Sequence, residues 1–576
     1  MNIQTGGFTE AVRWDQEVDV LVLGSGAAGM TAALVSAQEG AKTLLCEKSP
    51  LIGGTSALSG GTVWIPGSTQ TNKAGIKDTK EDGLRFLRSE VPYASVGDMQ
   101  RAYIYSGPEA IDYLEANSEV KFFPVPHHPD YVTHPGAALG GRPLSPLPFD
   151  GRRLGSDFDL LRSPLRVWTV FGGMMVARED MPHLMQTLKN PKSFFYTVKL
   201  LLRYGMDRLR YSRGTRLVLG NALAARLLFS LRRAKCEIRV KSYAVQLLHD
   251  DSGIIGAVVS VDGVERRIRA RKAVVLASGG FPHNAKWREK LMPKGFAAQP
   301  SAAAKENTGD SLDLATVLGA AINTEHDAPN FLVPQSIMHN ADGTQDTWLH
   351  SWDRAKPGQI AVNGAGCRFA NEAQSYHTFC QTMQRENEVV KTIPAYLVCD
   401  SAHLLKWGFG LVRPGTRNVK RYVENGYLKS GKSIEELAEV SGIDPTRLKQ
   451  TVMTFNEACK SGIDKDFHRG ESPIDKINGD SSHGPNPCMG PLQVAPFYAM
   501  EVWPGDIGTS IGLKTDIDAQ VLDNKDRPIG RLYACGNDMS SVMRGHYPGP
   551  GITLGPGVVF AYRAARHATK TNDATR

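Results

Sequence analysis

The chain has 576 residues, 41% hydrophobic and 22% charged, which excludes both a single ordinary core and a disordered chain and predicts two or three interlocked soluble domains. Its net charge of +8 is too diffuse to argue for nucleic acid. The eight cysteines, at 46, 236, 367, 380, 399, 459, 488 and 535, form no C-x-x-C pair and no His/Cys cluster at zinc spacing, so no metal site is expected and a reducing cytoplasm is.

Met1 to Val18 is polar and lacks the apolar core of a signal peptide, which again points to the cytoplasm. The apolar run from Val18 to Ala37 is long enough to raise the question of a membrane span. Its internal glycines answer it. Val18 to Leu23 reads as a buried parallel strand, running into Gly24-Ser-Gly26-Ala27-Ala-Gly29 and then an alanine-rich helix, Met30 to Glu39. Gly24 permits the tight turn, Gly26 lets backbone approach a pyrophosphate, and Gly29 lets helix and strand pack closely. The helix N-terminus offers free N–H groups and a positive dipole end. A second strand, Lys42 to Cys46, ends at Glu47, whose carboxylate lies about twenty residues past the glycines, where it accepts from ribose hydroxyls. Strand, glycine turn, helix and acid together predict a dinucleotide site.

From Glu47 the chain continues Lys48-Ser-Pro-Leu-Ile-Gly-Gly54-Thr55-Ser56-Ala-Leu-Ser-Gly60-Gly61. This resembles the second diphosphate and flavin-side loop of the FAD-dependent fumarate reductase and ketosteroid dehydrogenase superfamily. Members with covalent FAD carry a histidine in this loop; here Ser56, Ala57 and Ser59 stand nearby, so the resemblance implies non-covalent FAD. Lys272-Ala-Val-Val-Leu-Ala-Ser-Gly-Gly280 and Arg531-Leu-Tyr-Ala-Cys-Gly536-Asn537-Asp538 are further buried strands with glycine ends. The resemblance implies an α/β fold: a Rossmann-like FAD-binding domain of glutathione-reductase type, split into residues 1–321 and 510–576, with an α+β substrate-capping domain inserted at 322–509. It places the cofactor contacts on Gly24, Gly26, Ala27, Gly29, Glu47, Lys48, Gly54, Thr55, Ser56, Gly60, Gly61, Gly280, Asp310, Gly536, Asn537 and Leu554.

The string Gly545-His-Tyr547-Pro-Gly-Pro-Gly551-Ile-Thr-Leu554 resembles the Tyr-Pro-Gly-Pro-Gly segment of 3-ketosteroid Δ1-dehydrogenases, which implies that the Tyr547 hydroxyl and the Gly551 N–H bind a substrate ketone. Ala361-Val-Asn-Gly-Ala-Gly-Cys-Arg-Phe-Ala-Asn-Glu-Ala-Gln-Ser-Tyr376 resembles the family segment whose tyrosine is the general base. Pro129-Asp-Tyr131 resembles the one whose tyrosine sits beside that base. The implied reaction removes an α-proton beside the ketone and passes a neighbouring hydride to flavin N5. A tyrosine with an ordinary pKa of about 10 needs help to ionise, from a donor or basic surroundings. His377 adjoins Tyr376, but on a strand it would face the opposite way, so the tyrosine is preferred.

Residues 189 to 235 carry twelve Lys/Arg against one acid, Asp207, interleaved with apolar runs such as Phe194 to Leu202. Two readings stand: an amphipathic segment on an anionic membrane, gathering a lipophilic substrate, or a solvated helical pair with snorkelling basic side chains. The expected function is Δ1-dehydrogenation of a 3-ketosteroid with an external acceptor such as a quinone. The alternatives are a desaturase of a smaller cyclic ketone, a dicarboxylate enzyme of fumarate-reductase type, which requires an Arg/His clamp in the cap, and an electron-transfer flavoprotein, for which no iron–sulfur or haem motif is present.

Overall fold

The computed structural model describes residues 13–293 and 298–570. The polar N-terminal stretch read above therefore lies, as far as residue 12, outside the described residues. The strand Gln16–Leu23 occupies the middle of an eight-stranded sheet. It is flanked in parallel by Thr43–Cys46 and Val264–Leu276, and burial on both faces accounts for its unbroken apolar run. Pro528–Ala534 adds in parallel to the end of Val264–Leu276, and Glu237–Arg239 adds beyond Thr43–Cys46. Leu23 pairs with both Cys46 and Leu276, and Leu276 with Ala534. The carboxyl ends of these strands thus finish level, the edge at which parallel α/β sheets bind ligands.

The helix Ala27–Gln38 starts three residues earlier than the alanine-rich pattern and packs between Leu219–Arg233 and the C-terminal helix Leu554–Lys570. Small residues allow that approach. A Cβ on Gly29 would stand 2.0 Å from the Gly24 carbonyl oxygen, so this position holds turn and helix together. No helix among the described residues is long and apolar enough to cross a membrane.

A second, antiparallel sheet runs in the order Gln345–Leu349, Asn330–His339, Phe497–Thr509, Ala395–Asp400, Gln359–Val362, with Lys429–Gly431 also on Phe497–Thr509. Helices Tyr376–Glu386, Ile434–Ser441 and Pro445–Ser461 flank it. Their starts follow local chemistry: the Ser375, Ser433 and Asp444 side chains each accept a first-turn N–H.

Between the sheets lies the segment 149–217. Its helix Pro191–Arg208 is inverted relative to an ordinary surface helix. The residues it buries are Ser193, Thr197 and Asp207, with Asp207 accepting from the Thr215 N–H and hydroxyl at 2.8 Å each. Phe195, Leu202 and Met206 point outward and are exposed.

Candidate active site

One cleft of about 2070 Å³ runs from the level strand ends to the second sheet. This exceeds the ~300–1,000 Å³ of an ordinary ligand pocket and suits a dinucleotide together with a second ligand. Gly24, Gly26, Ala27, Glu47, Lys48, Gly54, Thr55, Ser56, Gly60, Gly61, Asp310, Gly536, Asn537 and Leu554 line it. Gly29 and Gly280 do not. Gly29 acts through the helix–turn packing above, and the Gly280 N–H is held by Asp538 at 2.8 Å.

The dinucleotide end is built from polar groups already oriented. Glu47 accepts from the Ser25 N–H at 2.9 Å, the Ser25 hydroxyl at 2.5 Å and the Ser49 N–H at 2.8 Å. Burial pushes its carboxyl up from the ordinary value, and those hydrogen bonds work against the shift. Lys48 Nζ donates to Asp310 at 3.0 Å and to the Thr308 hydroxyl at 2.6 Å. The Thr55 hydroxyl accepts from the Ala304 N–H and the Asn307 amide.

Sequence reasoning passed over several supports. Asp538, fully buried, takes the Ser278 and Gly280 N–H groups and the Ser311 hydroxyl, tying the ends of two strands together. It stood inside the Gly536-Asn537-Asp538 motif, and a carboxylate after a glycine strand end was the available signal. Asn307 and Thr308, three and two residues ahead of Asp310, carried no such pattern.

At the other end of the cleft the chain brings together Tyr131, Tyr376, Tyr547 and Gly551. The Tyr131 and Tyr376 hydroxyls are 3.4 Å apart. The ring of Tyr547 stacks on Tyr131 at 5.8 Å and meets Tyr376 edge-on at 5.0 Å. Trp352 closes the cluster, 5.0 Å from Tyr131 and 5.2 Å from Tyr376. His128 lines the cleft beside them and burial holds it down at about 4, so it is neutral. Neither Trp352 nor His128 belongs to a local pattern that would single it out.

Each element has a local reason for its place. Tyr131 N–H donates to the Pro548 carbonyl at 2.8 Å, pinning the Tyr-Pro-Gly-Pro-Gly turn. Beneath it Asp130 accepts from the Trp64 indole at 2.8 Å and from Arg142 at 2.7 Å. Gly551 has φ +91°, and a Cβ there would stand 2.5 Å from the Thr62 carbonyl oxygen. Its carbonyl takes the N–H of Gly555 at 2.8 Å, whereas its own N–H has no acceptor among the described residues.

Tyr376 opens a helix rather than lying on a strand. His377 therefore does not face away in strand fashion. It is buried, accepts the Leu332 N–H at 3.0 Å through Nδ1, and burial depresses it to about 3. Burial pushes Tyr376 well above the ordinary phenol value and Tyr131 adds to the rise, while the Tyr547 hydroxyl works the other way.

Of the arginines at 322–509, Arg413 lines the cleft and donates to the Thr169 carbonyl at 3.1 Å, and three others are engaged within the segment. Arg368 pairs with Glu372 and Asp464, Arg469 pairs with Glu372, and Arg354 donates to four backbone carbonyls. No cluster of potential metal ligands occurs among the described residues.

Residues 19–554 match the FAD binding domain family. A 3-oxosteroid 1-dehydrogenase of Mycolicibacterium smegmatis is 36% identical over 578 residues, covering 97% of this chain and 99% of its own. A 4-oxocyclohex-2-ene-1-carboxylate 5-dehydrogenase of Sinomonas cyclohexanicum is 34% identical, covering 96% and 94%. Among solved structures, 3-ketosteroid Δ1-dehydrogenase from Sterolibacterium denitrificans, in complex with 1,4-androstadiene-3,17-dione, superposes with a TM-score of 0.90 at 36% identity, covering 97% of this chain and 100% of that one. A flavocytochrome c3 fumarate reductase, at 21% identity and a TM-score of 0.63, shares the fold alone. With its preformed dinucleotide end and these matches over nearly its whole length, the chain is a FAD-dependent oxidoreductase that belongs to the 3-ketosteroid Δ1-dehydrogenase family.

Proposed function

We propose that the chain dehydrogenates a 3-ketosteroid, introducing a 1,2 double bond. The observation that carries this is the meeting of three tyrosine hydroxyls and the unpaired Gly551 N–H on the wall of the cofactor cleft. In this reading residues 322–509 cap the substrate, and FAD sits without a covalent link, since Ser56, Ala57 and Ser59 offer no histidine. Bound there, FAD supplies the acceptor for a hydride. Tyr547 and Gly551 donate to the ketone oxygen and stabilise the enolate that forms as the α-proton leaves. Tyr376 takes that proton. Tyr131, with its hydroxyl beside that of Tyr376, orients it. Trp352 and the stacked tyrosines exclude water, which strengthens each of these hydrogen bonds.

The apolar side chains of Met181, Leu184 and Met185 on the cleft wall suit a lipophilic ketone better than a dicarboxylate. The test is anaerobic bleaching of the flavin's visible band by androst-4-ene-3,17-dione, with the product identified by mass and NMR. Bleaching with a product lighter by two hydrogens and a new double bond at carbons 1 and 2 is expected. Bleaching by a monocyclic 4-oxocyclohexane carboxylate, with none by the steroid, would keep the chemistry and overturn the substrate.

The inverted helix Pro191–Arg208 carries the second part of the proposal: the protein docks on an anionic membrane through this segment. Phe195, Leu202, Met206 and Leu209 form an outward apolar face, with Lys192, Lys199, Arg208 and Arg210 exposed around it. The polar side chains turn inward and find partners there, which a merely solvated helix does not do. Met181, Leu184 and Met185, just before it, line the cleft, so a lipophilic ketone would pass from bilayer to site. Co-sedimentation with vesicles containing phosphatidylglycerol is expected, weakened by salt and abolished by Phe195→Glu with Leu202→Glu at unchanged melting temperature. Equal sedimentation of the double variant would return this segment to a solvated helix. The electron acceptor we assign to the quinone class, which partitions into the same bilayers.

A further inference from the structure

The residue before Tyr547 is held by two carboxylates from different parts of the chain. His546 Nδ1 lies 3.4 Å from Glu90 Oε1, and Nε2 pairs closely with Asp327 Oδ2. Glu90 ends the helix Lys80–Glu90, which packs on the helix Gly97–Asn117. Asp327 lies just before Asn330, where the chain enters the second sheet. The bridge therefore joins three segments: the helix end, the entry to the second sheet, and the turn that carries Tyr547.

The backbone follows the same path. Asp327 N–H donates to the Arg544 carbonyl at 2.9 Å, and His546 N–H donates to Met543 at 2.8 Å. Gly545 lies so close to Ala328 that a Cβ would stand 2.3 Å from the Ala328 nitrogen. A neutral imidazole has one N–H and no charge; the imidazolium is hydrogen-bonded to Glu90 through Nδ1 and sets its charge in ion-pair contact with Asp327 at Nε2, which makes no aligned hydrogen bond.

We propose that the Glu90–His546–Asp327 bridge is a positioning device for Tyr547, fixing where its hydroxyl meets the substrate ketone. This rests on the reading of Tyr547 as a ketone donor. The Tyr547 ring is already confined by Tyr131, Phe331 and His377, so the remaining freedom lies in the backbone at 545–547, and the bridge removes it. The other groups facing His546 are few. Tyr93 sets its ring edge-on at 6.5 Å and donates its hydroxyl to Asp327. His134 pairs with Glu90 at 3.1 Å. Glu325 takes the Ser95 hydroxyl, Arg544 donates to Ser540 at 3.0 Å, and His326 and His377 are both held neutral, near 3.

Burial alone would lower His546; Glu90 and Asp327 outweigh it and raise it above the ordinary histidine value. The imidazolium thus persists to higher pH than in a free histidine and is lost as pH rises through the raised value. The bridge, and with it tight ketone binding, is lost in the same direction.

The experiment compares KM and kcat across neutral to alkaline pH in the FAD-loaded wild type, His546→Gln, Asp327→Asn and Tyr547→Phe, with flavin content and melting temperature alongside. In wild type, KM for the ketone should rise on the alkaline side. In His546→Gln, KM should be about tenfold higher already at neutral pH and flat with pH, with kcat changed less than threefold and flavin retained. Asp327 is half-exposed, so Asp327→Asn gives the same reading even if His546→Gln folds poorly. A pH-independent wild-type KM, or unchanged KM in both bridge variants while Tyr547→Phe loses ketone binding, would overturn the bridge and keep the donor. An unchanged kcat/KM in Tyr547→Phe itself would instead overturn the donor on which the bridge rests.

Discussion

Replacing Tyr376 by phenylalanine is expected to lower kcat by about 10³-fold, within the range of general-base losses, with FAD content and ketone binding preserved. The substitution removes one hydroxyl from an aromatic cluster whose packing is made by ring faces and edges. Tyr376 meets Trp352 at 5.2 Å, Tyr131 at 5.6 Å and Tyr547 at 5.0 Å, and a phenyl ring keeps all three contacts. What is lost is the one atom able to accept the α-proton. His377 cannot take over, because its Nδ1 already accepts the Leu332 N–H and its ring is buried against that of Tyr547.

Wild-type kcat should also rise with pH, because burial holds the Tyr376 phenol protonated well above its ordinary value and the base must first ionise. That limb belongs to kcat, whereas the His546 effect belongs to KM. Stopped-flow bleaching of the flavin by steroid under anaerobic conditions reads the first directly. A Tyr376→Phe enzyme bleaching at the wild-type rate would remove Tyr376 from the chemistry.

The second large effect is expected at Tyr547. Tyr547→Phe should lower kcat/KM by about 10²–10³-fold, the cost of losing one of two donors to a developing enolate in a dry site. The backbone donor of Gly551 remains, so some turnover should survive. Unlike Tyr376→Phe, this variant should also bind the dienone product more weakly, since the donors hold the ketone as well as, more tightly, the enolate. Equilibrium titration of the bound flavin with 1,4-androstadiene-3,17-dione separates the two cases. Equal product affinity in both variants would place the ketone elsewhere on the cleft wall. Gly551 does not lend itself to the same test: its positive φ and its approach to Thr62 mean that any side chain moves the turn rather than removing the donor alone.

How much of this was readable in the chain depends on how local each feature is. The strand, glycine turn, helix and Glu47 lie within thirty-two consecutive positions (16 to 47), where hydrogen bonding, dipole and steric demands act between near neighbours. Residue types at fixed spacing therefore determined the dinucleotide end, down to the packing role of Gly29 and the carboxylate of Glu47. The family resemblance added Tyr131, Tyr376, Tyr547 and Gly551, but as separate marks hundreds of residues apart.

Only the tertiary structure decided the rest, because it depends on groups that no local pattern connects. Trp352 and His128 join the tyrosine cluster through long-range packing. Tyr376 begins a helix, since the Ser375 side chain caps it, and so the alternation that set His377 aside does not apply. The basic residues and apolar runs of 189–235 were legible, but not which face of the helix Pro191–Arg208 turns inward. Thr197 meets the Thr187 hydroxyl at 2.9 Å and Asp207 meets Thr215, and those partners draw the polar side in and leave the apolar side out. His546 was read as one letter in a turn; its two carboxylates come from positions 90 and 327 and reach it only when the chain is folded. Local sterics and backbone hydrogen bonding are written along the chain, whereas the sign and surroundings of a side chain are set by whatever distant segment packs against it.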